Sequence, residues 1–397
     1  MDPSTMQLIQ TLSAEANSSL SGFQSSASES ARIDALEKVL KLARALEKPR
    51  DAILKLGFSP TYLMAVKVAI DLKIFSILAN ATLPVGLDEL AAAKPADPLL
   101  VERIMRLLCQ NGFAQESAPC EYIATAISKE MTQRTSIGVI ESLFLELLPA
   151  IQKTPEYLEL LKYQNPSDPN FAPLQYAHNF RIDSFQWLCQ NPEIMARFNT
   201  FMEGQRAGRA HWGDWYPVRE RILNADFKPD QALLVDIGGG RGHDILEFKK
   251  RFPDVSAKYV LAELPGVLED AEELDADIQK LPYDFWTTEQ PIKGARVYYF
   301  KMVFHDWADE KARIILNNIK ASMEKGYSKI VVEEYIVADM NAGAIHGITD
   351  IGVMVFCSGL ERTRQRWASL FESVGLQTTF WAREGDGLGI IEAELPN

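Results

Sequence analysis

A run of glycines after an apolar segment is the first feature of this sequence that could do chemistry. Residues 233–248 are LLVDIGGGRGHDILEF, which predicts a buried strand that ends on Asp236 and a helix that resumes near Gly242. Glycines carry no β-carbon, so a ligand can lie against the backbone N–H groups and the helix N-terminus of such a loop. The pattern is typical of a nucleotide cradle, although glycine turns also join strands to helices for structural reasons alone.

A second predicted strand end indicates the same kind of ligand. The segment KYVLAE ends on Glu263, whose carboxylate can accept hydrogen bonds from ribose hydroxyls. From about residue 227 onward, apolar strands alternate with helical stretches; the predicted strands are ALLVDI, KYVLAE, ARVYYFKM, SKIVVEEYIV and LGIIEAEL. This alternation predicts an α/β fold with a doubly wound sheet. Ligands of such sheets bind outside the carboxyl ends of the strands, so the glycine loop and Glu263 are expected to meet one nucleoside.

The elements before this sheet are helical. Residues 1–30 are rich in serine and predict a tail, whereas residues 31–128 show the three- and four-residue spacing of amphipathic helices. Three helices followed by a short strand are the order of a winged helix, which suggests a DNA-binding regulator. The third helix, however, carries only Arg103 and Arg106 beside acidic residues, too little positive charge to neutralise several phosphates. Its Leu, Ile and Met residues favour a subunit interface instead.

Composition narrows the class of protein. The chain has 397 residues, 47% hydrophobic and 24% charged, enough for two or three globular domains, and its net charge of −13 disfavours nucleic acid or an anionic membrane as partner. No apolar run approaches the roughly 18 residues that cross a bilayer, and no signal peptide is evident, so a cytoplasmic location is expected. The four cysteines lie far apart without metal-ligand spacing, so no metal site is predicted.

Six ordered blocks of sequence carry a resemblance to a known family. They are DIGGGRGHD, AELPGVLEDA, LPYDFW, FKMVFHDWADEKARIILNNI, GYSKIVVEEYIV and GLERTRQRW. Together they resemble the S-adenosylmethionine-dependent O-methyltransferases of the plant caffeate type, in their branch of fungal secondary metabolism. The resemblance spans about residues 35 to 395. Each block alone is weak evidence for this family, but six blocks in the family's order and spacing are specific to it.

The resemblance implies a binding site for S-adenosylmethionine. The positions that match the family's cofactor site are Gly238, Gly240, Glu263, Asp284, Phe285, Lys301 and Trp307. The two glycines would contact the methionine part of the cofactor, and Glu263 stands where the family usually has an Asp on the ribose. Asp284 and Phe285 match the pair that meets the adenine.

The resemblance also implies a catalytic histidine. His305 of FHDW matches the family's general base, and Glu334 and Glu361 match two carboxylates that hold this histidine in place. Glu333 neighbours Glu334, and strand alternation sends one inward and one outward; the resemblance selects Glu334. Transfer of a proton from a phenol, with a pKa near 10, to an imidazole, with a pKa near 6.5, is uphill by about 5 kcal/mol. Neighbouring carboxylates reduce this cost because they stabilise the imidazolium.

The resemblance divides the chain into functional regions. Residues 31–140 are expected to form a helical, winged-helix-like dimerisation domain, and residues 141–397 a methyltransferase domain with a Rossmann-like sheet. Within the second domain, residues 141–225 are expected to line the pocket of a small-molecule acceptor. Since the family consists of homodimers, a homodimer is expected, in which the N-terminal region helps to close the partner's acceptor pocket.

The acceptor itself is constrained only by the composition of its pocket. The segment over 141–225 is aromatic and has little net charge, which suits a planar hydroxylated polyketide or alkaloid. His178, Met302 and Met354 are candidates for contact with the acceptor, although each could equally pack in the core.

Two other classes of function stay open on sequence grounds. Some fungal proteins that look like this family bind S-adenosylmethionine without transferring its methyl group, and run dehydrations or pericyclic ring closures instead. These relatives tend to replace the His of the His-Asp pair by Arg or Lys, so the intact pair His305-Asp306 favours methyl transfer. A regulatory or scaffold protein without activity is disfavoured because the base and both carboxylates are present.

Overall fold

The computed structural model describes residues 3–206, 209–224, 226–269, 271, 274–382 and 387–396. The chain divides into two compact units, Met1–Leu145 with Ala196–Arg206, and Glu146–Met195 with Ala207–Asn397. The boundary near residue 145 is close to the position expected from the sequence. One part of the expected acceptor segment, Ala196–Arg206, is grouped with the first unit instead of the second.

The first unit is mainly helical. Its helices are α1 (Pro3–Ser26), α2 (Glu29–Leu46), α3 (Pro49–Phe58), α4 (Pro60–Asp71), α5 (Ile74–Asn80), α6 (Leu87–Ala92), α7 (Pro98–Gln110), α8 (Ala126–Glu130) and α9 (Arg134–Ser142), and its strands are β1 (Val85–Gly86), β2 (Gln115–Ala118) and β3 (Glu121–Ile123). The strands form a small antiparallel sheet in the order β1-β3-β2. Helices followed by a short β-hairpin agree with the winged-helix-like arrangement expected from the sequence.

The expectation of an N-terminal tail was wrong, because the serine-rich segment forms the long helix α1. Ala16 on α1 and Ala35 on α2 are both buried, and the Ser19 hydroxyl lies 2.6 Å from the Asp34 carboxylate. Small residues let two helices approach closely, and serines on the outer face of a helix are compatible with this packing. Contacts with α2, which no local pattern reveals, therefore order this segment.

Helix α7 shows why the rest of this unit folds as the sequence predicts. Its buried residues Val101, Ile104, Met105 and Leu108 follow the spacing of one helix face, and the Asp97 side chain caps the first turn by accepting the Leu99 N–H at 2.8 Å.

The second unit contains the large sheet and the helices that cover it. Its strands are β4 (Ala232–Ile237), β5 (Lys258–Glu263), β6 (Ile278–Pro282), β7 (Val297–Lys301), β8 (Lys329–Val337), β9 (Arg362–Thr363), β10 (Gln377–Ala382) and β11 (Leu388–Glu394). The helices that follow α9 are α10 (Leu148–Leu160), α11 (Pro173–His178), α12 (Ser184–Gln190), α13 (Pro192–Arg206), α14 (Val218–Arg221), α15 (His243–Arg251), α16 (Pro265–Glu269), α17 (Asp309–Lys320), α18 (Ala344–Cys357) and α19 (Arg364–Glu372). Most of α13, from Ala196 to Arg206, is grouped with the first unit. Short 3₁₀ turns cover Trp212–Asp214 and Phe304–Asp306, and a π-helical turn covers Leu143–Leu147.

The large sheet is mixed. Its strand order is β10-β11-β8-β7-β4-β5-β6, with β9 beside β8. The five strands from β8 to β6 are parallel, whereas β11 is antiparallel to both of its neighbours. The order reverses between β4 and β7, where Leu234 pairs with Val297 and Asp236 with Tyr299. This reversal is the point at which open α/β sheets leave a crevice for a ligand.

Both faces of this sheet are covered. Val235, Ile237 and Phe300 pack toward α17 and α19, while Leu234 and Tyr299 pack toward α15. Strands that are buried on both faces consist of nearly continuous apolar residues, which explains why the central strands were predictable. The sequence prediction did not include β6 and β10, which lie at the two edges of the sheet.

One continuous helix, over residues 134–160, is long and apolar enough by length and composition to cross a membrane. The expectation that no segment reaches this length was therefore too strict. The same properties occur in core helices of soluble proteins, so this helix carries no argument for a membrane.

Candidate active site

The glycine loop between β4 and α15 has the open geometry expected of a cradle. Gly238, Gly240 and Gly242 have φ angles of 70°, 61° and 81°, which side-chain-bearing residues rarely adopt. A β-carbon added to Gly239 would lie 2.4 Å from an Asp236 carboxylate oxygen, whereas one added to Gly240 would meet no atom within 4 Å. The loop is thus closely packed beneath Gly239 and open beside Gly240.

Glu263, at the end of β5, lies directly against this loop. One carboxylate oxygen accepts the Gly240 N–H at 3.0 Å, and the other accepts the Leu264 N–H at 2.7 Å. Burial raises the pKa of the Glu263 carboxyl, and the two N–H donors oppose that rise. The structure therefore brings together Glu263 and Gly240, two of the residues that the sequence placed in one site.

Lys301, at the end of β7, is neutralised by two acidic side chains. Its ammonium lies 2.7 Å from Asp244, at the start of α15, and 3.3 Å from Glu333 on β8. The Tyr299 hydroxyl donates to the same Glu333 oxygen at 2.6 Å. Lys301 thus connects the helix that follows the glycine loop to the end of β7 and to the middle of β8.

The residues matched to the adenine form an aromatic group. Trp307 lies edge-on to Trp286, with ring centres 4.5 Å apart, and 6.2 Å from Phe285. The Asp284 carboxylate accepts the Trp286 N–H at 2.9 Å, which fixes the turn that carries these rings. The buried indole N–H of Trp307 has no hydrogen-bond partner among the described residues. A donor of this kind next to aromatic faces suits a polar, planar ligand.

His305 lies in the 3₁₀ turn after β7 and is almost completely buried. Its Nδ1 is 2.8 Å from a Glu361 carboxylate oxygen, and its Nε2 is 3.5 Å from an Asp306 oxygen. The Leu360 N–H also donates to the His305 carbonyl at 2.8 Å. Glu361 therefore binds the ring through Nδ1, whereas Nε2 lies on the side of Asp306.

Glu334 binds the backbone of this turn and forms no hydrogen bond with the imidazole. Its carboxylate accepts N–H groups from Val303 at 3.0 Å, from Phe304 at 2.6 Å and from His305 at 3.1 Å. Neither Glu334 nor its neighbour Glu333 points outward, since both are at most 1% exposed. The alternation argument was wrong on this point, because the sheet is covered on both faces.

The protonation of this cluster is strongly perturbed. Burial by itself lowers the pKa of the His305 imidazole, but the negative charges of Asp306 and Glu361 outweigh it and raise the pKa to about 10. Burial raises the pKa of Asp306 to about 6, against the opposing charge of His305. Burial likewise raises the pKa of Glu334 to about 7. Perturbations of this size are common in active sites.

The same side chains have a spacing that a metal ion could bridge. One ligand atom each of His305, Glu334 and Glu361 lies within 4.8 Å of the other two. These groups are already engaged, however, because the Glu334 carboxylate accepts backbone N–H groups and Glu361 binds the ring. The hydrogen bonds account for the cluster without a metal.

Two of the three candidates for contact with the acceptor, His178 and Met354, pack near the same aromatic residue, Trp187. His178 Nε2 is 2.9 Å from the Glu146 carbonyl, and its ring centre is 5.6 Å from that of Trp187, which stacks on Phe180 at 4.7 Å. Met354 packs in the same cluster as Trp187 and Phe180. Met302 follows β7 with a φ of 52°, unusual for a residue with a side chain, just before the turn that carries His305.

Three supporting residues were not predicted from the sequence. Arg362 donates to the Phe304 carbonyl at 2.9 Å and to the Trp307 carbonyl at 2.6 Å, so it holds both ends of the segment that carries His305. Asp350 on α18 accepts the Glu361 N–H at 2.8 Å. His211 lies beside Asp244, and burial lowers its pKa to about 4. Arg362 and the two carbonyls that it binds all belong to the GLERT and FHDW blocks, but only the fold shows that these groups meet.

These observations fit the cofactor that the resemblance implies. The open side of Gly240, the Glu263 carboxylate beside it and the unpartnered Trp307 N–H lie around the carboxyl ends of β4, β5 and β7. A nucleoside with a charged amino-acid tail can bind to a glycine backbone, a carboxylate and aromatic faces arranged in this way.

Comparison with known proteins supports this assignment. Residues 165–377 match the family model described as an O-methyltransferase domain, and residues 55–134 match an O-methyltransferase dimerisation domain. The O-methyltransferase penC of Penicillium thymicola is 37% identical over 367 residues, which cover 90% of this chain and 91% of that protein.

Solved structures show the same fold over nearly the whole chain. The structure of LepI in complex with SAM and one described as a pericyclic reaction enzyme each have a TM-score of 0.88 and 25% identity; both cover 98% of this chain, and 99% and 100% of their own chains. OxaC in complex with SAH and oxaline has a TM-score of 0.87 and 25% identity, and covers 99% of this chain and 100% of its own.

Proposed function

We propose a mechanism and an acceptor class for this chain, which belongs to the S-adenosylmethionine-dependent O-methyltransferase family. In this proposal His305 is the general base that accepts the proton of an acceptor hydroxyl while the hydroxyl oxygen takes the methyl group. Glu361 orients the imidazole and stabilises its charge, and Glu334 holds the backbone of the turn that carries it. S-adenosylmethionine supplies the methyl group when it is bound.

The hydrogen-bond pattern supports a separate role for each ring nitrogen. Nδ1 of His305 is bound to Glu361 at 2.8 Å, so Nε2 receives the proton from the acceptor. The carboxylates around the ring raise the pKa of His305 to about 10, although burial opposes this. That value is close to the pKa of a phenol, so the transfer itself costs little, but the ring must first lose the proton that it carries at neutral pH.

The cofactor residues are proposed from the same geometry. Gly238 and Gly240 provide backbone surface for the methionine part, Glu263 accepts the ribose hydroxyls, and Phe285 with Trp307 provides the aromatic faces for adenine. Asp284 orders the turn before Phe285. Lys301 is proposed to contribute to the cofactor site from the end of β7, where its ion pairs with Asp244 and Glu333 hold the start of α15.

The acceptor is proposed to be a small, planar, hydroxylated aromatic compound of the polyketide or alkaloid type. The stacked pair Phe180 and Trp187 lies beside His178, and Phe185 lies between Phe356 and Trp307 at centre-to-centre distances of 5.7 and 5.8 Å. Flat aromatic surfaces of this kind favour flat ligands. His178, Met302 and Met354 are proposed as contacts of this acceptor.

The observation that carries the catalytic proposal is the buried His305 held by Glu361 at the carboxyl edge of the sheet. The experiment that tests it is a stoichiometry measurement with a panel of hydroxylated polyketides and alkaloids. One S-adenosylhomocysteine released per methylated product supports the proposal. Product that forms catalytically without a gain of methyl mass, and with no S-adenosylhomocysteine released, contradicts it.

The second candidate function is a pericyclic or dehydration reaction that uses the bound cofactor only as a fixed charge. The structural similarity to a pericyclic reaction enzyme favours this alternative. The presence of His305 with both of its carboxylates favours methyl transfer, and the stoichiometry measurement separates the two.

The assembly is proposed to be a cytoplasmic homodimer. A dimerisation domain matches residues 55–134, and α2 and α3 expose large apolar side chains, including Leu36, Ile53, Leu56 and Phe58. Exposed apolar surface of this extent is typical of an interface. Light scattering should give twice the mass of one chain, and a fully active monomer would contradict the proposal.

A further inference from the structure

His305 has a carboxylate at each of its two ring nitrogens. Glu361 lies 2.8 Å from Nδ1, and Asp306 lies 3.5 Å from Nε2, with the His305 side chain only 8% exposed. Nδ1 of a neutral imidazole can donate its one hydrogen to Glu361, but the ring then carries no charge to balance the nearby Asp306 carboxylate. The doubly protonated ring carries a positive charge beside both carboxylates and neutralises part of the buried negative charge.

Asp306 is itself held in place from a different element. The Cys357 thiol, near the end of α18, lies 3.5 Å from the Asp306 carboxylate and 3.2 Å from the Val353 carbonyl. Cys357 is 2% exposed, and burial raises the pKa of its thiol far above the usual range. The sulfur therefore stays a neutral thiol, and its one hydrogen has two acceptors within reach, the Asp306 carboxylate and the Val353 carbonyl.

We infer that Asp306, held by the Cys357 thiol, is a positioning residue that keeps His305 doubly protonated until an acceptor hydroxyl takes the place of Asp306 at Nε2. This inference rests on the proposed role of His305. It means that the resting enzyme carries the conjugate acid of its own base, and that Cys357 supports this state although it touches neither the ring nor the acceptor.

The proton balance of the cycle follows. When the acceptor hydroxyl binds at Nε2, the imidazolium releases one proton to the solvent and becomes neutral. The acceptor oxygen then takes the methyl group and its own proton passes to Nε2, which restores the imidazolium. One proton leaves per turnover, as in any methylation of a hydroxyl, but it leaves before the chemical step.

The charged groups around the ring are consistent with this state. Glu334 lies on β8, Glu361 precedes β9, and Asp306 belongs to the 3₁₀ turn that carries His305. Glu361 and Asp306 lie beside the ring, and Glu334 lies against the His305 backbone. The only cation among the described groups that contact this turn is Arg362, which donates to the Phe304 and Trp307 carbonyls. The local charge without a protonated ring is therefore negative, and it favours the imidazolium even though burial raises the pKa of Asp306 and Glu334.

The test is a pH titration of the full chain by NMR with ¹⁵N-labelled histidine, without cofactor or acceptor. The chain has five histidines, and the His305→Gln variant identifies the His305 signals by their loss. We expect wild-type His305 to show both ring nitrogens protonated at neutral pH. A neutral ring at neutral pH would overturn the inference.

Substitutions at the two supporting residues supply matched controls. Asp306→Asn should lower the titration midpoint of His305 by at least about one pH unit, because the negative charge at Nε2 is lost. Cys357→Ala should lower it by less, since Asp306 then loses a donor that stabilises its charge, and Cys357→Ser, which keeps a donor, should retain the wild-type midpoint. An unchanged midpoint in Asp306→Asn, or equal midpoints in the two Cys357 variants, contradicts the inference.

The outcome of the NMR titration is independent of the outcome of the stoichiometry measurement. If methyl transfer fails but His305 is doubly protonated, the proposed function is wrong and the protonation of the ring by Asp306 and Cys357 stands. If methyl transfer is shown but His305 is neutral at rest, only the inference about Asp306 and Cys357 fails.

Discussion

Replacement of Glu334 by glutamine should lower the stability of the protein, whereas the same replacement of Glu361 should lower its turnover. The two carboxylates lie in one cluster, but Glu361 binds the imidazole of His305, whereas Glu334 binds the backbone of the turn. Glutamine has nearly the same shape as glutamate, so the pair tests the loss of charge and of one acceptor with little change in packing.

For Glu334→Gln the structure indicates a loss of stability. The glutamate accepts three backbone N–H groups at 0% exposure, and an amide can turn only one oxygen toward them. Its NH₂ group then opposes at least one N–H donor, which costs about 1–3 kcal/mol for the unsatisfied group. Removal of a buried charge offsets part of this, because burial already raises the pKa of Glu334 to about 7. The net expectation is a smaller loss, of about 1–2 kcal/mol, and a fall in melting temperature of a few degrees.

For Glu361→Gln the expected loss is in turnover. The amide oxygen can still accept the Nδ1 hydrogen that lies 2.8 Å from the carboxylate, so the ring keeps its orientation and the melting temperature changes little. Without the negative charge the imidazolium is less stable, and turnover should fall by about 10²-fold. The rise of activity with pH should also move to lower pH, because this carboxylate contributes to the raised pKa of His305.

The assay is calorimetric melting and a pH profile of turnover on both variants and the wild type. The reasoning is refuted if Glu334→Gln melts with the wild type and shifts the pH profile as Glu361→Gln does. That result would mean that Glu334 acts on the imidazole of His305, as the sequence resemblance implied, and not on the backbone of the turn.

Three further predictions concern the base, the cradle and acid stability. His305→Ala should leave cofactor affinity nearly unchanged in calorimetry while turnover falls by roughly 10²- to 10⁴-fold; a tenfold loss of affinity would argue against its role as base. Gly240→Asn should abolish cofactor binding but keep the fold, since Asn tolerates a φ of 61° and its side chain would enter the open space beside the loop; retained binding would disprove the cradle. His211 accepts the Gly213 N–H on Nδ1 and stays neutral, and burial lowers its pKa to about 4, so the unfolded chain takes up a proton first as pH falls below about 6.5. Stability should therefore drop by up to about 3 kcal/mol between pH 6.5 and 4 in denaturant unfolding, and an equal drop in His211→Gln would show that this residue is not the cause.

Local features of the chain determined much of the fold and part of the site. The central strands β4, β5, β7 and β8 are continuous apolar segments because both of their faces are buried, so the sequence predicts them closely. The glycine loop is equally local, since positive φ angles within a few residues require glycine. The edge strands β6 and β10 lack this signal, because one side of each faces outward and their residues are partly polar.

Only the tertiary structure decided what the charged side chains do. Glu334 and the turn it holds are about 30 residues apart, Cys357 and Asp306 are 51 apart, and Lys301 and Asp244 are 57 apart. A residue type shows which atoms can bond, but the partner depends on which strand ends the fold brings to one edge of the sheet. The sequence therefore determined the presence of a histidine and three carboxylates, whereas the fold determined their contacts. Glu334 holds the backbone, Glu361 holds the ring through Nδ1, and Asp306, in contact with the Cys357 thiol, lies near Nε2.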